Sequence, residues 1–326
     1  MHPEDDLSPP APPSTSAAPP ASWNSVIETF ARDYLNDRRT ERRWRLFFRL
    51  SWLTLFVIFV WALASARNHA TLPSGPHTAL VEVRGEIASD AEASAENIVS
   101  AVKNAFEDAE AKAIVLRINS PGGSPVQAGI INDEIRRLKA LHKKKVYAVV
   151  EEVCASGAYY IAVAADEIYT DKASIVGSVG VLMDGFGFTG TMQKLGVERR
   201  LMTAGENKGI GDPFSPMTDK QKAYTQAMLD QIHKQFIRVV REGRGKRLKE
   251  TADTFSGLYW NGEEAVRLGL ADKFGNLDYV AREVVKAEEV VDYTPKENVA
   301  ERLAKRFGAS IGAGAVRALQ NIGGIH

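Results

Sequence analysis

The chain switches repeatedly between two hydrophobic periods. "ALVEVRG" (Ala79–Gly85) alternates apolar and polar positions as a half-buried strand does, while "AIVLRI" (Ala113–Ile118) and "VYAVV" (Val146–Val150) are short apolar runs of the kind that strands buried on both faces carry. Between them the spacing turns helical. Ile98, Val99, Val102 and Phe106 share one face over Ala91–Ala109, and Ile130, Ile131, Ile135 and Leu138 share one over Val126–Leu141. A further helix starts in Ala158–Ala165. "VGVLM" (Val179–Met183) and "VERRLM" (Val197–Met202) read as a fourth and a fifth strand. Beyond them come a long amphipathic helix, Thr218–Arg241, a short helix closed by glycines within Trp260–Gly275, and a mildly basic amphipathic stretch, Asn298–Ile325. The alternation predicts an α/β fold with a parallel sheet covered by helices. Sites in such sheets gather at the carboxyl ends of the strands.

One apolar stretch fits neither period. Leu50–Ala66 carries no charge and spans about 26 Å as a helix. Arg38, Arg39, Arg42, Arg43, Arg45 and Arg49 precede it, and Trp44, Trp52 and Trp61 stand near its ends. This pattern predicts a single membrane-spanning signal-anchor over residues 46–66, with the arginines in the cytoplasm and everything after residue 67 outside it. In a bacterium the host membrane is the inner one. Ala64-Ser65-Ala66 resembles a signal-peptidase site, but the leader ahead of the apolar core is too long for an ordinary signal peptide. Residues 1–45 form a tail, rich in Pro, Ala and Ser up to Ser22 and then basic, which is expected to be disordered. Residues 67–77 read as a polar linker, 78–290 as the main domain and 291–326 as a helical extension.

Composition narrows the picture. The 326 residues are 44% hydrophobic and 25% charged, with 41 basic and 41 acidic side chains, so nothing global suggests nucleic acid. The one cysteine, Cys154, excludes an intrachain disulfide and suits a small buried hydrophobe. There is no P-loop and no zinc-ligand spacing, so no metal and no nucleotide cofactor is expected.

Candidate chemistry gathers in three stretches. In "EEVCASGAYY", Ser156 sits where a strand turns into a helix, among Ala155, Gly157 and Ala158. It has two readings there: a helix N-cap, a role serine favours, or a nucleophile. In "NSPGG", Gly122 and Gly123 are a plain double-glycine turn, or a place where backbone amides approach a carbonyl oxygen, with the amide of Gly157 as a second donor. The histidines, His2, His69, His77, His142, His233 and His326, lie in the tail, the linker, a basic turn, mid-helix and the terminus, so a histidine triad is hard to build. In "GENKGIGDPFSPMT", Lys208 is a solvated loop lysine, or a base whose proton is stripped by apolar neighbours such as Ile210 and Phe214.

"RINSPGG", "ASGAYYIA", "ASIVGSVGV" and "NKGIGDPF", in this order, resemble the short, single-copy form of the signal peptide peptidase A family of Ser-Lys membrane proteases. The similarity runs from about Leu80 to Phe274. It implies a fold similar to the Clp protease and crotonase folds, Ser156 as nucleophile, Lys208 as general base, Ser178 as the residue that orients the lysine, and an oxyanion hole at the Gly122-Gly123 turn. It further implies peptide substrates at the membrane, among them cleaved signal peptides, contact with lipid, and assembly into a homo-oligomeric ring. Three rival readings remain at this level: a protease for a stomatin-like membrane partner, a crotonase-type acyl-CoA enzyme that uses the same glycine amides, and a non-catalytic membrane scaffold.

Overall fold

The computed structural model describes residues 44–61 and 75–295. The basic tail, the Ala64–Ala66 motif, most of the linker and the Asn298–Ile325 stretch lie outside them. Helix α1 (Trp44–Trp61) belongs to one compact unit and the rest of the described chain to another. All its large apolar side chains are exposed, and its length and apolarity suffice to cross a membrane.

The second unit runs β1 (His77–Arg84), α2 (Ala95–Glu107), β2 (Ala111–Ser120), α3 (Pro125–His142), β3 (Lys145–Ala155), α4 (Gly157–Ala162), β4 (Glu167–Thr170), β5 (Ile175–Gly177), α5 (Thr189–Lys194), α6 (Asp219–Arg244), β6 (Tyr259–Asn261), α7 (Gly262–Arg267), β7 (Lys273–Phe274), α8 (Leu277–Tyr279) and β8 (Val290–Asp292). The sheet order is β6-β5-β3-β2-β1-β8, with β4 paired to β3 and β7 paired to β4. Every pairing is parallel except β5 with β6. The early strand half of β3, Tyr147–Val149, pairs with β4, and its late half, Val153–Ala155, pairs with β5. Such an α/β sheet is the expected one.

Side chains set the helix starts. The Ser94 and Ser124 hydroxyls accept from the Asn97 and Gln127 amides at the heads of α2 and α3. Thr218 and Gln221 form a reciprocal capping box at the head of α6. The buried faces of α2 and α3, with Ile98, Val102, Phe106, Ile131, Ile135 and Leu138, pack into the main core with Val81, Ile114 and Val146 of the sheet. A smaller cluster, Val115, Val149, Tyr169 and Val280, forms a second core.

Several expectations change. Ile130 is 47% exposed and not part of the core face. β4 and β5 were hidden by their shortness, and Trp260–Gly275 holds two short strands, β6 and β7, around α7. No strand forms over Val179–Met183 or Val197–Met202. The cause lies at the end of β5. Gly177 and Ser178 both have positive φ, 114° and 53°, which turns the chain out of the sheet, and both sides of β5 are already taken by β3 and β6. Leu182, Met183, Leu201 and Met202 are consequently exposed. His77 is not a linker residue. It opens β1, fully buried, with its ring bonded to the Gly75 carbonyl at 2.9 Å and the Tyr293 hydroxyl at 3.0 Å.

Candidate active site

Three strand ends lie side by side. Ser120 at the end of β2 stands opposite Cys154, and Ala155 at the end of β3 stands opposite Gly177 at the end of β5. The residues just beyond these ends are the candidates.

Ser156 follows β3 with φ 54° and ψ −122°, half-buried, its amide donating to the Gly177 carbonyl at 2.8 Å. That conformation costs on the order of 1–3 kcal/mol for a residue with a Cβ. The capping reading falls on two counts: an N-cap residue has extended dihedrals and its oxygen accepts a helix amide, whereas Ser156 is in a left-handed region and makes no such bond. Its hydroxyl has no hydrogen-bond partner among the described residues. Ser178 follows β5 in the same manner, at φ 53°, with its amide on the Leu258 carbonyl at 2.8 Å. Two adjacent parallel strands thus each end in a strained serine. Among the described residues the two other non-glycine residues with positive φ, Lys143 and Lys286, are helix C-caps, where a left-handed residue is ordinary.

The Gly122-Gly123 turn packs directly on this corner. A Cβ on Gly122 would stand 2.7 Å from the Ala155 carbonyl oxygen and from the Gly157 nitrogen, closer than atoms approach, so only glycine allows the turn to lie there. The Gly157 Cα is in turn beside Gly123. The amides divide unequally. The Gly122 N–H donates to the Ser120 hydroxyl at 3.1 Å, whereas those of Gly157 and Gly123 meet no acceptor among the described residues. Two open donors next to a free hydroxyl suit a developing oxyanion.

Lys208 makes no hydrogen bond to Ser156, Ser178 or the glycine turn within the single chain. It lies exposed in the loop between α5 and α6, and its ammonium makes no hydrogen bond or ion pair among the described residues. It lines an open recess of about 610 Å³ with Arg199, Leu201, Met202, Ile210 and Asp212, and Ser156 is not part of that lining. Phe214, expected to desolvate the lysine, is 42% exposed and stacks on Phe188 instead.

The other candidates resolve clearly. Cys154 is fully buried, and burial pushes its thiol up and away from reactivity. His142 packs near Phe106, and His233 binds the buried Val179 carbonyl at 3.1 Å, which ties α6 to the loop that carries Ser178. Sequence reasoning missed Ser120 and His233 as supports of the corner. It also missed Trp260, whose ring occupies the space where a side chain on Gly177 would be. Only "NSPGG" held a local signal, a serine two residues before the glycine that it bonds.

Comparison with known proteins identifies the family. The profile of peptidase family S49 matches residues 139–291, which include Ser156, Ser178 and Lys208. A Brucella melitensis chain named as the Na(+)/H(+) antiporter NhaA is 48% identical over 176 residues, 54% of this chain and 24% of that one. A Methanocaldococcus jannaschii chain named as a protease is 36% identical, covering 59% of this chain and 63% of that one. A Synechocystis chain named as a protease is 30% identical, covering 60% of this chain and 69% of that one. This chain therefore spans about a quarter of the antiporter-named relative and just under two thirds of the archaeal one. The profile and the breadth of the Synechocystis match place the chain in peptidase family S49, the family of signal peptide peptidase A.

Proposed function

We propose that the chain is a membrane-anchored serine endopeptidase working through a Ser156–Lys208 dyad on peptides at or near the bilayer, cleaved signal peptides among them. The observation that carries this reading is the strained Ser156, its hydroxyl without a partner among the described residues, beside the open amides of Gly157 and Gly123. Ser156 Oγ attacks the scissile carbonyl carbon and its proton passes to Lys208 Nζ. The Gly157 and Gly123 amides hold the oxyanion. Collapse breaks the C–N bond, and Lys208 gives the proton to the leaving amine. Water then hydrolyses the acyl-serine by the same route. Ser178, next to Ser156 across β5, orients the lysine.

Lys208 needs a cover that a single copy does not supply. Met202, in the same recess lining, is 94% exposed, Leu182 and Phe186 on the segment after Ser178 are 81% and 80% exposed, and the first half of α6 presents Tyr224 and Met228 outward. Large apolar side chains exposed to this degree support burial against another copy. A closed ring of copies covers them, with Lys208 from one copy serving Ser156 of the next.

Labelling tests the nucleophile. A biotinylated fluorophosphonate added to the detergent-solubilised full chain is expected to modify Ser156, as mapped by mass spectrometry, and labelling of a different serine or of none defeats the reading. Topology is a separate test. The arginines before Leu50 predict that alkaline phosphatase fused after His77 is active only outside the cytoplasm. A fusion active only in the cytoplasm reverses the orientation.

A further inference from the structure

Lys208 stands in a segment that cannot hold it by its own backbone. "GENKGIG" places Gly205 and Gly211 at φ 103° and 81°, with Gly209 between them. Its backbone bonds are single turns, the amides of Lys208, Ile210 and Asp212 each reaching the carbonyl three residues back at 3.1 Å, and its one side-chain tie among the described residues is the exposed Glu206–Lys220 pair at 2.7 Å. With its ammonium unbonded, the lysine's position depends on whatever anchors the ends of this stretch.

The anchor is Asp212. Its side chain is only 12% exposed in an otherwise open loop. One carboxylate oxygen accepts the Phe214 amide at 3.2 Å, and the other accepts the Ser215 hydroxyl at 2.7 Å and faces Arg199 Nε at 3.5 Å. The Ser215 bond, with help from the Phe214 amide and Arg199 and against a modest desolvation, holds the carboxyl below its usual range, so it is ionised at neutral pH. The two residues after it extend the anchorage. The Pro213 carbonyl accepts the Phe188 amide at 2.7 Å, the Phe188 and Phe214 rings stack at 5.6 Å, and the Arg199 guanidinium lies 5.9 Å over Phe214. Three separate segments, carrying Phe188, Arg199 and Lys208, are fastened together at residues 212–214.

We propose that Asp212, backed by Arg199, is the positioning residue of the catalytic base: it fixes the loop from which Lys208 reaches the nucleophile. The proposal rests on the reading of Lys208 as that base. A general base acts only within hydrogen-bond reach, and a misplacement of about 1 Å can cost ~100-fold in rate, so the loop needs a fixed point that its glycines do not provide.

The test uses the full chain in detergent, a fluorogenic peptide and hydrogen exchange. Asp212→Ala is expected to lower kcat by roughly 30- to 100-fold while KM moves less than about threefold. Its melting temperature and oligomeric state should match the wild type, and amide exchange should quicken at Lys208, Ile210 and Asp212 but not in the sheet. Asp212→Asn keeps one oxygen for the Phe214 amide but sets an amide nitrogen toward Ser215 and Arg199, which only the Ser215 hydroxyl can meet, by accepting, so its kcat should fall between those of Asp212→Ala and the wild type. A kcat for Asp212→Ala within about threefold of wild type overturns the proposal, as does a loss that follows melting or ring dissociation. Lys208→Ala in the same assay separates the two claims. If it is inactive and Asp212→Ala is not, the dyad stands and the positioning role falls. If Lys208→Ala is active, the dyad itself has failed, and with it any role for Asp212 in placing a base.

Discussion

Ser156→Ala and Lys208→Ala are each expected to lose peptide cleavage by roughly three orders of magnitude or more, and combining the two inactive chains is expected to restore part of it. The first half of this expectation follows from the proposed dyad acting as one device: without the base the hydroxyl is a poor nucleophile, and without the hydroxyl the base has nothing to activate. The double mutant should therefore be no worse than either single one. Lys208→Arg should be as inactive as Lys208→Ala, because a guanidinium keeps its proton at any working pH. The second half follows from the open position of Lys208 and its missing contact with Ser156 inside one chain. If the pair closes between neighbours, a ring assembled from equal amounts of the two variants contains intact pairs at roughly a quarter of its interfaces, as a head-to-tail arrangement requires. Co-expression with two affinity tags, followed by an assay of doubly purified material, measures this. No recovery in a ring shown to contain both variants would put serine and lysine in the same copy. Full activity of Lys208→Ala alone would remove the lysine from the mechanism.

Arg244→Met should destabilise the fold by about 3–5 kcal/mol, a change of roughly 6–15 °C in melting temperature for a domain of this size. Arg244 is fully buried near the end of α6. Its Nε donates to the Gly269 carbonyl, and its two terminal nitrogens grip both oxygens of Asp272, all three bonds at 2.8 Å. Asp272 also receives the Ile168 amide at 2.7 Å and Arg247 at 3.0 Å. Burial alone would raise the Asp272 carboxyl, but the Arg244 bonds and charge outweigh it and hold the group below its usual range. A depressed carboxyl stabilises the fold above its unfolded pKa near 4 and loses that contribution as the pH falls through the folded value. The wild type should thus weaken only in acid, below about pH 4. In Arg244→Met the carboxyl stays buried with less to hold its charge, so its pKa climbs and the acid-side loss begins at higher pH. Thermal melts of both proteins between pH 3 and pH 8 test this, and a variant that melts within a degree of the wild type would show Arg247 to be sufficient.

The readable parts of this chain were those where one local rule decides the outcome. β1, β2 and β3 follow from continuous or alternating apolar runs, and α2, α3 and α6 from helical spacing with a Ser or Thr immediately before each start. Ser156 was visible as a serine at a strand-to-helix corner, yet the choice between cap and nucleophile needed its backbone angles. Gly122 and Gly123 look alike in sequence, and only the Ser120 hydroxyl distinguishes the occupied amide from the open one. Val179–Met183 has the composition of a strand, but strands form by pairing, and β5 had no free side to offer. Asp212 was unreadable for a related reason. Its proposed role rests on Arg199 and Ser215 meeting its carboxylate while Phe188 is held at the neighbouring Pro213 and Phe214, and no spacing records that convergence.

The two strained serines have a consequence for how this chain changes over generations. At φ 54° and 53°, residues 156 and 178 occupy backbone space in which glycine is at ease and every other residue is not. Substitution by glycine would relax the fold at either place, so the residue that suits the backbone best is the one that cannot attack a carbonyl. On the roles proposed for Ser156 and Ser178, stability and chemistry select different amino acids at the same positions, and the serines persist only while cleavage is under selection. A descendant relieved of that demand would drift there first, and glycine at 156 would mark the lineage as having abandoned its reaction while its sheet, caps and buried ion pair stayed intact.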